Sequence, residues 1–156
     1  MSDFRTRFLN ADLDLAGKQK LDGLVEALTS LGFYTLDDDD SDDASAESEL
    51  FEARFELDDD SVDFDDPAAV VDAIVTRIEK LSGDALAQWK GLELATIDNG
   101  FEVISGDEGR TFTFAPALVA RCAALGLTLA VTIYSGDGED GLDEDEIDDG
   151  GEDKLN

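Results

Sequence analysis

Asn10, Asp12 and Asp14 alternate with Ala11, Leu13 and Leu15 near the start of the chain. On an extended backbone alternate side chains point the same way, so all three polar groups would share one side. Two carboxylates beside an amide form the one constellation in the sequence suited to acid–base chemistry, which needs burial or a neighbouring charge to raise a carboxyl pKa. The plainer expectation is that Asn10 and Asp12 satisfy backbone groups at a turn before the first helix.

Other chemistry is narrowed by what is missing. The chain has no histidine, which removes the commonest general base, the Ser-His-Asp triad and most transition-metal sites. Its one cysteine, Cys122, allows neither an intrachain disulfide nor a cysteine-based zinc site. It lies in the apolar run Ala115–Leu125 and is expected in the core as a small hydrophobe. The stretches DDDDSDD (37–43) and DGEDGLDEDE (137–146) invite hard cations. Neither keeps the ligand register of an EF-hand loop, so no specific metal site is expected. GDEGR (Gly106–Arg110) lacks the lysine and hydroxyl residue of a phosphate loop. No cofactor and no catalytic residue is expected, and an enzymatic role is the weaker reading.

The charge is more informative than any motif. The chain carries 40 acids and 11 bases for a net charge of −29. Residues 37–66 hold 16 of the acids and one base, and residues 137–154 hold 11 and one. The other 108 residues carry 13 acids against 9 bases, close to balance. A salt-adapted surface would spread its acid more evenly, so this clustering favours a localised acidic surface. Direct nucleic-acid binding is excluded, because phosphate repulsion outweighs what Arg5, Arg7 and a few lysines supply. A basic protein is the partner such a surface fits.

The residues expected to meet that partner flank one strand. From Leu50 to Leu57, Phe51, Ala53, Phe55 and Leu57 alternate with Glu52, Arg54 and Glu56, the period-two pattern of a strand with one buried face. Asp37, Asp38, Asp39, Asp40, Asp42 and Asp43 precede it; Asp58, Asp59, Asp60, Asp63, Asp65 and Asp66 follow. Aspartate runs disfavour strand and repel one another, so these are expected as solvated loops. Alternate strand residues lie ~6.6 Å apart, near the ~6.8 Å of two phosphate steps. Arg54 interrupts the outward row, so any mimicry of a nucleic acid is expected from the flanking aspartates.

The remaining elements follow in order. Phe4–Leu15 reads as extended. Leu21, Leu24, Val25, Leu28 and Leu31 mark one helix face, closed by Gly32. Phe33–Leu36 is a short strand expected to pair antiparallel with Leu50–Leu57 across the acidic loop 37–49. Asp66-Pro67 opens a helix with Val70, Val71, Ile74, Ile78 and Leu81 on its apolar face. Ser82-Gly83 ends or interrupts it, and Asp84–Lys90 continues helically with Trp89 as a core plug. Leu92–Ile104 is either one strand or a hairpin turning at Asp98-Asn99-Gly100. Thr111–Phe114 alternates as a strand, Pro116 and Gly126 bracket a helix, and Leu127–Tyr134 reads as a buried final strand. From residue 50 onward this order is strand, helix, strand, strand, helix, strand. The expected fold is therefore α+β: a split βαβ (ferredoxin-like) antiparallel sheet with helices on one face and an N-terminal helix and strand as extension. Residues 1–135 are expected to form one domain, and 136–156 an acidic tail without fixed structure.

FLNADLDL (Phe8–Leu15) resembles the FLNTDLDL-type opening of a group of small bacterial α/β proteins with no established function. ALAQW (Ala85–Trp89), IDNGFEV (Ile97–Val103) and AALGLTLAVTIY (Ala123–Tyr134) resemble that group too, the last through an LG-x-x-(L/I)-x-V-T-(I/V)-Y strand. The resemblance implies a shared scaffold, with Leu92–Ile104 as one continuous strand, and implies no activity. Ala11 stands where the pattern has threonine, and the two acid-rich segments are additions to it.

Three functions are consistent with these residues. The first is a non-enzymatic acidic interaction protein that binds a basic protein partner, as an inhibitor mimicking nucleic acid in its most specific form. The second is a salt-adapted member of the resembling group, with its function in the neutral scaffold. The third is a small enzyme using Asn10, Asp12 and Asp14. The longest apolar runs fall short of a membrane helix and the first residues lack a signal-peptide core, so a cytoplasmic location is expected.

Overall fold

A computed structural model describes residues 6–36, 50–104 and 109–136. The expected loop 37–49 and tail 136–156 fall outside these residues, apart from Gly136 itself. The described chain is α+β, with five strands and four helices: β1 (Arg7–Gly17), α1 (Asp22–Ser30), β2 (Phe33–Thr35), β3 (Phe51–Leu57), α2 (Pro67–Ile78), α3 (Gly83–Lys90), β4 (Leu94–Ile104), α4 (Pro116–Ala124) and β5 (Thr128–Gly136).

The strand order is β2-β3-β1-β4-β5. β1 runs antiparallel to both β3 and β4, and β2 antiparallel to β3, whereas β5 lies parallel to β4. Two split βαβ units interlock here: β1 and β2 are parallel around β3, and β3 and β4 are parallel around β1. The ferredoxin-like unit is thus Arg7–Ile104, and α4–β5 is its extension. The N-terminal strand expected as an addition is the centre of the sheet. The reason is its length and two-sided pairing: β1 spans 11 residues and has Leu13 opposite Phe55 on one side and Ile97 on the other.

One face of the sheet is covered. Leu13, Leu15, Ala53, Phe55, Ala95 and Ile97 pack in a single core with Leu24 and Leu28 of α1, Val70, Ile74 and Ile78 of α2, Trp89 of α3, and Leu118 and Cys122 of α4. Each fully buried aliphatic or aromatic side chain contributes roughly 1.5–3 kcal/mol. A bulge between Phe8 and Asn10 lets Phe8 as well as Ala11 face this core. The helix limits follow their local signals. Asp66 accepts from the Ala68 amide at 3.0 Å to cap α2, and Gly32 and Gly126 take positive φ just past α1 and α4. α2 ends at Ile78, short of Ser82-Gly83, and Ser82 stands instead at the N-terminal cap of α3.

Of the two readings of Leu92–Ile104 the single strand holds: β4 runs through Asp98-Asn99-Gly100 with β1 on one side and β5 on the other. A local expectation is corrected. Thr111–Phe114 is not a strand. β4 already has both edges occupied, so the segment lays side chains over the core instead, with Phe112 4.9 Å from Phe101 between ring centroids.

Candidate functional site

Among the described residues the helices pack against one face of the sheet only, and alternation decides what lines the other. With Leu13, Phe55 and Ile97 turned to the core, Asp12, Asp14, Glu52, Arg54, Glu56, Thr96 and Asp98 must point away from it. The turn expected at Asn10 and Asp12 is therefore absent: both lie within β1, and Asn10, Asp12 and Asp14 share its outward side.

Strand pairing turns these separate acids into a row. Asp12 lies directly opposite Asp98 on β4, and Glu56 of β3 stands close enough on its other side to repel it. Burial, then Glu56, with smaller effects from Asp14 and Asp98, pushes the Asp12 carboxyl up to about 6, against the opposing pull of Arg54. Its Oδ1 is buried without a hydrogen-bond partner. The neighbouring charges are held in place. Arg54 Nε donates to Asp14 Oδ1 at 2.6 Å, and Arg7 Nε to Glu102 Oε1 at 2.6 Å. The Thr132 hydroxyl of β5 lies 2.8 and 2.9 Å from the two Asp98 oxygens and donates to that carboxylate. At the β2 end, burial and Glu56 raise the Tyr34 phenol pKa.

Asp12 makes stability depend on pH in a defined sense. Its folded pKa of about 6 exceeds the ordinary 3.8, so the folded state holds this proton more tightly. The contribution is full below pH ~4 and is lost as pH rises through ~6. Asp12→Asn is expected to stabilise the protein at pH 7.5 by about 1 kcal/mol, a figure discounted for partial exposure. The gain should vanish near pH 4. Denaturant titrations of both proteins at the two pH values check this, and equal differences at both would contradict it.

The acids expected to meet a partner divide into three groups. Asp37, Asp38, Asp39, Asp40, Asp42 and Asp43 fall outside the described residues. Asp58, Asp60 and Asp65 are exposed on the segment between β3 and α2. Asp59, Asp63 and Asp66 hold that segment together. Asp59 accepts from the Ser61 amide and hydroxyl and pairs with Arg77; Asp63 accepts from the Asp65 amide; Asp66 caps α2. The Ser61 hydrogen bonds, ahead of Arg77, hold the Asp59 carboxyl below its usual value.

Sequence reasoning missed Asp98, Glu102 and Thr132 as members of the open face. The signal was present in IDNGFEV, where Asp98 and Glu102 stand next to Ile97 and Phe101 on the opposite side of an extended chain. Among the described residues no group of three or more Asp, Glu or Cys side chains is placed to hold a metal ion. A cleft of about 320 Å³ lies elsewhere, lined by Leu86, Trp89, Lys90, Leu94, Leu125 and Gly126 among others, and by none of the outward carboxylates just described. No described helix is long and apolar enough to cross a membrane.

No family model, curated protein or solved structure matches the chain. The outward groups around Asp12 are mainly carboxylates, acceptors of positive charge. Carboxylates on neighbouring strands ~4.8 Å apart form a row that attracts positive charge.

Proposed function

We propose that this chain is a non-enzymatic acidic interaction protein of the cytoplasm that binds a basic protein, acting as an inhibitor that occupies a nucleic-acid-binding groove. The observation that carries the reading is the run of Glu56, Asp12 and Asp98 across three neighbouring strands of the open sheet face. Further support comes from the clustering of acid in residues 37–66, where Asp58, Asp60 and Asp65 stand exposed beside that sheet. Membership of the group that FLNADLDL resembles would account for the scaffold and leave the acid as this chain's own.

The reading is tested by capture from the native host at about 50 mM salt, followed by elution toward about 500 mM. The expected result is a basic nucleic-acid-binding protein that is released by salt, that duplex DNA displaces, and that binds at least tenfold more weakly when Asp37–Asp40, Asp42, Asp43, Asp58, Asp60 and Asp65 are replaced by Asn. Asp59, Asp63 and Asp66 are left intact because the fold uses them. A partner that binds the neutralised variant at full strength would end the idea. Melting at low salt separates the salt-adapted alternative: a stable fold there agrees with the proposal, and a large gain only toward molar salt favours the alternative.

A further inference from the structure

β5 is an edge strand without the usual protection. It pairs along one side with β4 over nine residues, from Thr96–Thr128 to Ile104–Gly136, and nothing among the described residues pairs with its other side. Natural edges are guarded by charge, proline, bulges or brevity. The opposite edge, β2, is only three residues long. β5 has none of these devices: TLAVTIYSG spans nine residues without one charged side chain, in a chain that is 33% charged.

Its faces differ. On the helix-covered side Val131 and Ile133 are 59% and 67% exposed, because α4 covers only the start of the strand, where Leu127 is buried and Leu129 half-buried. On the open side β5 presents the small residues Thr128, Ala130 and Thr132 beside Asp98 of β4, followed by Tyr134 opposite Glu102, with its ring beside Gly100.

We propose that the free edge of β5 takes an extended segment of a basic partner as a sixth strand. In that segment, apolar side chains would lie over Val131 and Ile133, alternating with lysine or arginine on the open side. A long cation on the added strand crosses Ala130 and Thr132, whose small size leaves room, and reaches the Asp98 carboxylate of β4 roughly two strand spacings away. Charge complementarity selects this occupant over a second copy of the chain. Pairing β5 with itself would join two open acidic faces edge to edge, each on a chain of net charge −29. The inference rests on the basic-partner reading above and specifies where and in what conformation that partner binds.

The test uses the full chain with two synthetic ten-residue probes: an alternating Lys-Val peptide and the same composition interrupted by proline, which cannot add as a strand. Ile133→Glu is the discriminating variant. It is exposed, so the fold tolerates it, and it makes the chain more acidic, so simple charge attraction is not weakened. The expected result is that the alternating peptide binds at low salt, perturbs the backbone amides of β5, and loses at least tenfold in affinity both in Ile133→Glu and when proline interrupts it. Equal binding to wild type and Ile133→Glu, or amide perturbation confined to Asp58–Asp66 and the open face, overturns the edge site while leaving the acidic-partner reading intact. Failure of both peptides to bind at low salt overturns both. A free chain that sediments as a dimer and becomes monomeric in Ile133→Glu also overturns it, assigning the edge to a second copy.

Discussion

Replacing Phe55 by alanine lowers the stability of the fold by about 3–5 kcal/mol, the range for deleting a fully buried aromatic ring. Phe55 is completely buried on β3, opposite Leu13 of β1 and Thr35 of β2. Its ring also meets Phe33 edge-on at 6.1 Å between centroids. Removing the ring leaves a cavity where three strands and the helix layer converge, and the strands cannot close over it without breaking their pairing. Denaturant unfolding should show a lower midpoint with unchanged slope, and the melting temperature should fall by roughly 10–15 °C. Phe51→Ala is the internal control. Phe51 is at the exposed start of the same strand, so its loss should cost less than about 1 kcal/mol. Equal costs for the two would contradict the placement of the core.

Arg77→Ala is expected to cost about 1–3 kcal/mol, because it strands a partly buried acceptor. Arg77 Nε donates to the Leu31 carbonyl at 3.0 Å, its Nη1 to the Ala73 carbonyl at 3.1 Å, and its Nη2 pairs with Asp59. One guanidinium thereby ties α2 to the end of α1 and to the acidic segment after β3. Arg77→Lys should recover little of the loss, since an ammonium cannot serve three partners in fork geometry. Thermal melts of both variants check this. A fully rescuing lysine would mean that only the charge matters, in a segment where Asp58 and Asp60 flank Asp59. The effect should also be local, with hydrogen exchange rising first in residues 58–66 and at the end of α1.

Much of the fold was legible because its signals are local. The apolar spacing of Leu21, Leu24 and Leu28 with Gly32 beyond it, the Asp66-Pro67 start and the Pro116–Gly126 bracket each require only a few neighbouring residues to act. The Phe33–Leu36 and Leu50–Leu57 pairing was legible for a similar reason, as sequential strands usually pair. Thr111–Phe114 misled because its alternation is real: Phe112 and Phe114 pack against the core without the segment pairing into the sheet. The Asp98-Asn99-Gly100 turn signal was overridden by pairing on both sides. Asn99 is buried inside β4, where its side-chain amide donates to the Ala130 carbonyl.

The candidate surface was only half visible for the same reason. Residue types alone decided that the chain carries no histidine chemistry, that its acid is clustered, and that Asn10, Asp12 and Asp14 share one side of an extended segment. Only tertiary structure decided that β1 sits between β3 and β4, which sets Asp12 between Glu56 and Asp98 and raises its pKa, and that β5 ends the sheet with no strand beyond it among the described residues. Alternation and capping act within a few residues of chain. Strand neighbours are chosen by burial summed over the whole core, and no local pattern records that sum.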